Sequence, residues 1–156
     1  MIELNSKTQQ DFLNREWVQR LLDAGVDMSD AKYRIVKSSS EETEHVILKD
    51  SITFAKGVDY NDIPTYTVSE LLYKLHEYIY PTIDGVKYSG GLRLSKDAPF
   101  YFAYYDLHEQ GKDDHLTEEF YAEFEYPIES LASLLIQCHK KDIGIARKDT
   151  GNISDK

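Results

Sequence analysis

The residues best suited to chemistry lie close together: Asp106, His108, Asp113, Asp114 and His115 fall within one stretch of ten residues. Carboxylate oxygens suit hard cations and imidazole nitrogen suits zinc, so the set has the donor types of a divalent site that would activate water for hydrolysis. Its spacing matches neither an EF-hand loop nor a His-x-x-x-His pair on a helix. A solvated acidic loop over residues 106–118 explains the same residues, and the expectation is no metal and no cofactor. Cys138 and His139 are adjacent, but neighbours on a helix point about 100° apart and do not pair; Cys138 instead completes an apolar stripe. Glu123 and Glu125 alternate on one strand at roughly 7 Å, a spacing open to acid and base work that any acidic strand offers. Gly90-Gly91 lacks the following helix that a phosphate cradle needs and reads as a turn or bulge. No nucleophile elbow, phosphate loop or dinucleotide fingerprint is present, so no catalytic residue is assigned and a non-enzyme is expected.

These residues belong to a chain of 156, with 28 Asp and Glu against 18 Lys and Arg and a formal charge of −10. A chain of this length buries enough surface for one ordinary domain. The absence of a long apolar run excludes a membrane helix, and the polar start lacks the order of a signal peptide. A single cysteine excludes an internal disulfide and fits a reducing, cytoplasmic setting. The acidic balance argues against direct nucleic-acid binding, which runs on Lys and Arg. Twelve residues are tyrosine, eleven of them from Tyr60 to Tyr126.

The elements that must position these groups follow from periodicity. Leu13, Trp17 and Leu21 with Val18 and Leu22 predict an amphipathic helix over residues 8–24, N-capped by Thr8 and ended by Gly25. Residues 33–36 and 45–48 read as a hairpin around the polar turn at Ser38 to Glu42, and residues 55–64 as a loop. Thr67-Val68-Ser69-Glu70 is a capping box opening a helix with Leu71, Leu72, Leu75 and Ile79 on one face, closed by Pro81. Then come strands at residues 92–94, 100–105 and 119–125, the second following a break at Ala98-Pro99. A last helix starts at Pro127, with Ile128, Leu131, Leu134, Leu135 and Cys138 as its stripe, and ends by Gly144. The expected fold is α+β: a single domain over residues 1–145 with an antiparallel meander of three or more strands and about three helices in a two- or three-layer sandwich. Residues 146–156 read as a disordered tail.

Alternation sorts the sheet faces. If Phe100, Phe102, Tyr104, Phe120, Ala122 and Phe124 lie under the helices, then Arg93, Tyr101, Ala103, Tyr105, Tyr121 and Glu123 lie opposite. Of these, Arg93, Tyr101, Tyr105, Tyr121 and Glu123 form the candidate partner surface, unless the Trp17 helix covers it and makes the rings core.

The run Ile63-Pro64-Thr65-Tyr66-Thr67-Val68-Ser69-Glu70-Leu71-Leu72, the aromatic meander after it and the final helix with its Lys-Asp-Ile-Gly end resemble small uncharacterised αβ-sandwich proteins encoded by prophages and mobile elements of gut bacteria. Leu21-Leu22-Asp23-Ala24-Gly25-Val26-Asp27 resembles the first helix of that set and its exit. The resemblance spans roughly residues 8–144 and implies an αβ sandwich and a mobile-element origin, with no catalytic residue carried over. The functional expectation is an accessory protein that contacts a protein partner, of unstated oligomeric state and with no membrane. One alternative is an acidic mimic of nucleic acid that blocks a basic protein, since residues 106–125 hold eight acids and only Lys112 as a base. The other is a metal-dependent hydrolase built on His108 and His115.

Overall fold

A computed structural model describes residues 2–5, 7–38, 42–51 and 60–141. The fold is α+β, with three α-helices and two antiparallel sheets among the described residues. By contacts the chain divides into two compact units, Met1–Glu70 and Leu71–Lys156. Parts of two sequence expectations, the turn at Ser38 to Glu42 and the loop over residues 55–64, fall outside the described residues, as do Gly144 and the tail over residues 146–156.

The first unit contains β1 (Ile2–Glu3), α1 (Arg15–Asp23), β2 (Tyr33–Ser38), β3 (His45–Leu48), a 3-10 turn (Lys49–Ser51) and β4 (Tyr60–Thr65). Its sheet runs β1-β3-β2-β4, and the expected hairpin is present, with Tyr33 opposite Leu48 and Val36 opposite His45. Helix α1 starts seven residues later than expected. The main chain of Leu13 is held by tertiary bonds instead: its N–H donates to Tyr66 O at 3.2 Å, and its carbonyl accepts from the Thr65 hydroxyl at 2.7 Å. Asn14 is therefore the N-cap, accepting from the Trp17 N–H at 3.0 Å, while the Thr8 hydroxyl closes a turn onto Glu3 O. At the other end Gly25, at φ +90°, ends the helix as expected; its N–H reaches Leu22 O and the Val26 N–H reaches Leu21 O, a Schellman pattern.

Residues 60–64, expected as loop, are strand. Asn61, Asp62 and Pro64 are poor strand formers, but β4 is the sheet edge, where proline removes no required donor. The Arg34 guanidinium bridges to Asp62 at 2.5 Å beside it.

Helix α2 (Val68–Lys74) opens on the expected capping box: the Thr67 N–H donates to Glu70 Oε1 at 2.9 Å, and the Glu70 N–H to Thr67 Oγ1 at 3.3 Å. It ends five residues short of Ile79. The second unit then contains β5 (Tyr78–Ile79), β6 (Thr82–Ile83), β7 (Val86–Asp97), β8 (Phe100–Glu109), β9 (His115–Leu116), β10 (Tyr121–Phe124) and α3 (Pro127–Lys140). Leu75 and Ile79 are both buried, as one helical face would have them, yet Tyr78 and Ile79 pair with Gly91 and Gly90 as a strand. A four-residue spacing does not separate a continued helix from a turn into a sheet when a neighbouring strand offers open ladder positions.

Strands run in the order β10-β8-β7-β5, with β6 on β7 and β9 on β8. Gly90 and Gly91 lie inside β7, not in a turn. A Cβ on Gly90 would stand 2.1 Å from Asp106 O, so only glycine permits β8 to come this close. Asp84 and Gly85, both at positive φ, make the two-residue turn between β6 and β7, and Asp-Gly is its legible signal. Helix α3 has the expected start and stripe: Ile128, Leu131, Leu134, Leu135 and Cys138 are all fully buried. Each buried leucine contributes about 1.5–3 kcal/mol, and this stripe with β8 and β10 is the core of the unit.

Candidate functional site

The faces of the second sheet follow from β8. Ala103, Tyr105 and Leu107 are fully buried, and Ala103 stands directly opposite Ala122 of β10. Small residues at both positions leave room for α3, whose Ser130 hydroxyl donates to Tyr101 O at 2.8 Å. The helix side of β8 is therefore Tyr101, Ala103, Tyr105 and Leu107. This corrects the sequence assignment, which put Phe100, Phe102 and Tyr104 under the helices. The expected alternation around β10 stands: Phe120, just before the strand, and Ala122 are buried, Phe124 is half-buried and Glu123 is exposed.

Two members of the candidate surface are consequently on the wrong side. Tyr105 is fully buried and its hydroxyl donates to His76 O at 2.5 Å. Burial holds that phenol well above its ordinary range, so it is a neutral core residue and no contact point. Tyr101 shares the helix side, under the Lys96 ammonium at 5.3 Å from its ring centre. The error has a physical origin. Residues 100–105 are aromatic on both faces, so hydrophobicity does not choose between them. The signal lies beyond Tyr105: one parity continues into Leu107, the other into Asp106 and His108, and the expected loop over residues 106–118 hid it. That stretch is a β-hairpin, with Leu107 opposite Leu116 and His108 opposite His115.

Arg93, Tyr121 and Glu123 do come together, with Phe102 and Tyr104 between them. Arg93 pairs with Tyr104, Tyr104 with Tyr121, and Phe102 with Glu123, which puts all five on the open face. The Tyr121 ring lies 5.9 Å from Phe102 and 6.3 Å from Tyr104, centre to centre, and the three are half-buried because they cover one another. The Tyr121 hydroxyl donates to Glu123 Oε1 at 3.0 Å; desolvation first, and then this carboxylate, raises its pKa. At the rim, Phe100 is 36% and Tyr78 45% exposed. The Tyr78 ring and the Arg93 guanidinium fill the space above Gly91. The strand carrying Tyr121 is itself clamped by Gln137 of α3, which accepts from the Tyr121 N–H at 3.0 Å and donates to Tyr121 O at 2.7 Å.

The residues considered for metal chemistry are placed by the β8–β9 hairpin. His115 Nδ1 is 2.7 Å from Asp106 Oδ1, and the rings of His108 and His115 are 5.8 Å apart, while Asp113 and Asp114 are exposed at the turn. No three His, Cys, Asp or Glu side chains converge into a cation site among the described residues. Cys138 is buried, which pushes its thiol up to about 12, opposed by the Lys141 charge; a thiol held there is no nucleophile at neutral pH. Glu125 falls beyond β10, so Glu123 and Glu125 are not a strand pair. Of the eight acids in residues 106–125, three have a cationic or imidazole neighbour among the described residues: Asp106 with His115, Glu109 with Lys112 at 3.8 Å, and Glu119 with Lys141 at 3.0 Å. No helix of the described residues is long and apolar enough to cross a membrane. Comparison with protein families, with curated proteins and with solved structures finds no match.

Proposed function

We propose that the protein is a non-enzymatic accessory protein that binds a protein partner through the open face of its second sheet, at Phe102, Tyr104, Tyr121, Glu123 and Arg93. The observation that carries this reading is the contiguous aromatic cluster on a face that also bears an exposed arginine and an exposed glutamate. A few residues carry most of the energy of a protein interface, and tyrosine and arginine are enriched among them, because a rigid ring buries large area at low entropic cost. The remaining acids favour a partner with a basic rim, through attraction that guides encounter. An origin in a prophage or another mobile element belongs to the same proposal and is supported by the sequence resemblance alone.

The test is quantitative capture from host lysate by the wild-type chain and by a Tyr121→Ala, Glu123→Ala variant. Both residues are on the open face, so circular dichroism should show both proteins folded. The reading requires a captured protein that the variant loses at least tenfold. Identical capture by the two folded proteins would sink it.

A further inference from the structure

We infer that the bare edge of β7, from Arg93 to Asp97, pairs antiparallel with the same edge of a second copy, making a two-fold dimer with one continuous sheet. This goes beyond the proposed function and rests on a different feature, the edge of the sheet and not its face.

Strand β7 has β8 beside it from Tyr88 to Asp97 on one side. On the other, β6 covers Val86 and Lys87 and β5 covers Gly90 and Gly91, and the last bond is from the Leu92 N–H to Glu77 O at 2.8 Å. Among the described residues nothing pairs with β7 beyond that point. Residues 93–97 are all exposed, Leu94 at 45%. Main-chain groups alternate in direction along a strand. Because the Leu92 N–H points away from β8, the N–H and C=O groups of Leu94 and Lys96 point the same way, outward.

That parity restricts which registers a second copy can adopt. Outward residues must face outward residues, which leaves registers centred on Leu94, Ser95 or Lys96. Centring on Lys96 places two ammonium groups directly opposite. Centring on Leu94 sets Arg93 against Ser95. Centring on Ser95 sets Arg93 against the partner's Asp97 and Asp97 against the partner's Arg93, two opposite-charge pairs. It also makes four main-chain bonds, between Leu94 and Lys96 in both directions. Arg93 and Asp97 then occupy non-hydrogen-bonded positions, where Cα atoms approach to about 4.5 Å and side chains meet most closely. The Arg93 guanidinium now donates only weakly back to Leu92 O, at 3.3 Å, and has further donors for a carboxylate. The segment also carries two basic residues and one acid in a chain of net −10, so two copies approach here without concentrating like charge. Two-fold pairing of identical edges is the simplest closed assembly a bare strand can form. With five residues a side the contact is small and the dimer correspondingly weak.

Sedimentation velocity from low micromolar to near millimolar protein tests the association. The wild-type chain of 18.1 kDa should move toward about twice that mass as concentration rises. Arg93→Asp alone and Asp97→Arg alone each set like charges opposite and should stay monomeric; the double exchange should dimerise as the wild type does. Register is read by oxidative cross-linking, since Cys138 is buried. Ser95→Cys places two thiols at the axis, within the separation a disulfide spans, and should cross-link; Leu94→Cys should not. A chain monomeric at every concentration overturns the inference and leaves Arg93 and Lys96 as guards of an unused edge. So does a dimer unaffected by the charge exchanges, or one cross-linked through Leu94→Cys and not Ser95→Cys.

Discussion

At Gly90 the main chain of β8 leaves no room for a Cβ, and replacing this residue and its neighbour by alanine separates sterics from glycine entropy. A Cβ on Gly90 would lie 2.1 Å from Asp106 O and 2.6 Å from Asp106 C, both main-chain atoms of β8. To reach even 3.0 Å the strands must part by about 0.9 Å at this point, given the 2.1 Å contact. Overpacking of this kind costs about 1–3 kcal/mol, and the separation weakens one or two adjacent ladder bonds at about 1 kcal/mol each. The expected loss for Gly90→Ala is therefore about 2–5 kcal/mol, a large part of the stability of an ordinary domain. Gly91→Ala differs. Its Cβ meets the end of the Arg93 side chain at 3.2 Å and the Tyr78 ring at 3.4 Å, groups that can shift a few tenths of an ångström. The gain from removing glycine freedom in a strand, about 0.5–1 kcal/mol, offsets that adjustment, so Gly91→Ala should change stability by less than about 1 kcal/mol. Urea titrations followed by far-ultraviolet circular dichroism measure both, and thermal midpoints should separate by several degrees. Equal midpoints for the two variants would refute the close-approach argument.

Two further outcomes concern buried and clamped groups. Gln137→Ala should cost about 1–2 kcal/mol, because the Tyr121 N–H and C=O both lose their partner; Gln137→Glu should also be destabilising, since a carboxylate accepts from the N–H but cannot donate to the carbonyl, and urea midpoints compare the three. Stability should fall in alkali. Cys138, Tyr105 and Tyr66 all hold raised folded pKa values, chiefly through burial, with the Asp30 carboxylate adding to the shift at Tyr66. Their contributions are fully present below the ordinary values, 9.0 for the thiol and 10.0 for the phenols, and are lost as pH rises through the window above them. Each group removes about 1.4 kcal/mol per pH unit there, so Cys138→Ala should lower stability at pH 7 yet flatten the decline from pH 8 to pH 10 by about that amount. A decline of unchanged slope in the variant would show that the thiol does not titrate with unfolding.

Local chemistry was legible wherever one residue's demand decides the structure. Gly25 ends α1 because a left-handed residue is needed there; Thr67 and Glu70 start α2 because two free N–H groups find two side-chain acceptors within four residues. Pro127 starts α3 and the stripe from Ile128 to Cys138 is its buried face. Where two structures satisfied the same local pattern, the choice came from partners distant in sequence. Thr8 and Asn14 are both good caps, and the tertiary bonds of Leu13 to Tyr66 and Thr65 favour Asn14. Ile79 fits a helical face and a strand equally, and the open ladder at Gly90 and Gly91 makes it a strand.

The candidate site shows the same division. By itself the sequence determined that Tyr121 and Glu123 share a face, that Ala122 and Phe120 share the other, and that the acids gather near the tyrosines. These are consequences of a two-residue period and of composition, and they need no partner. Which face of β8 meets α3 is not a local property, because a strand with aromatic residues at both parities buries either side equally well. It was decided by the small Ala103 opposite Ala122, by Leu107 two residues past Tyr105, and by the register of β8 on β10. That register moved Tyr105 into the core and Phe102 and Tyr104 onto the surface. The edge that is bare at Leu94 and Lys96 among the described residues likewise emerges only from where β5 ends, since an edge is a neighbour's absence and no residue type encodes it.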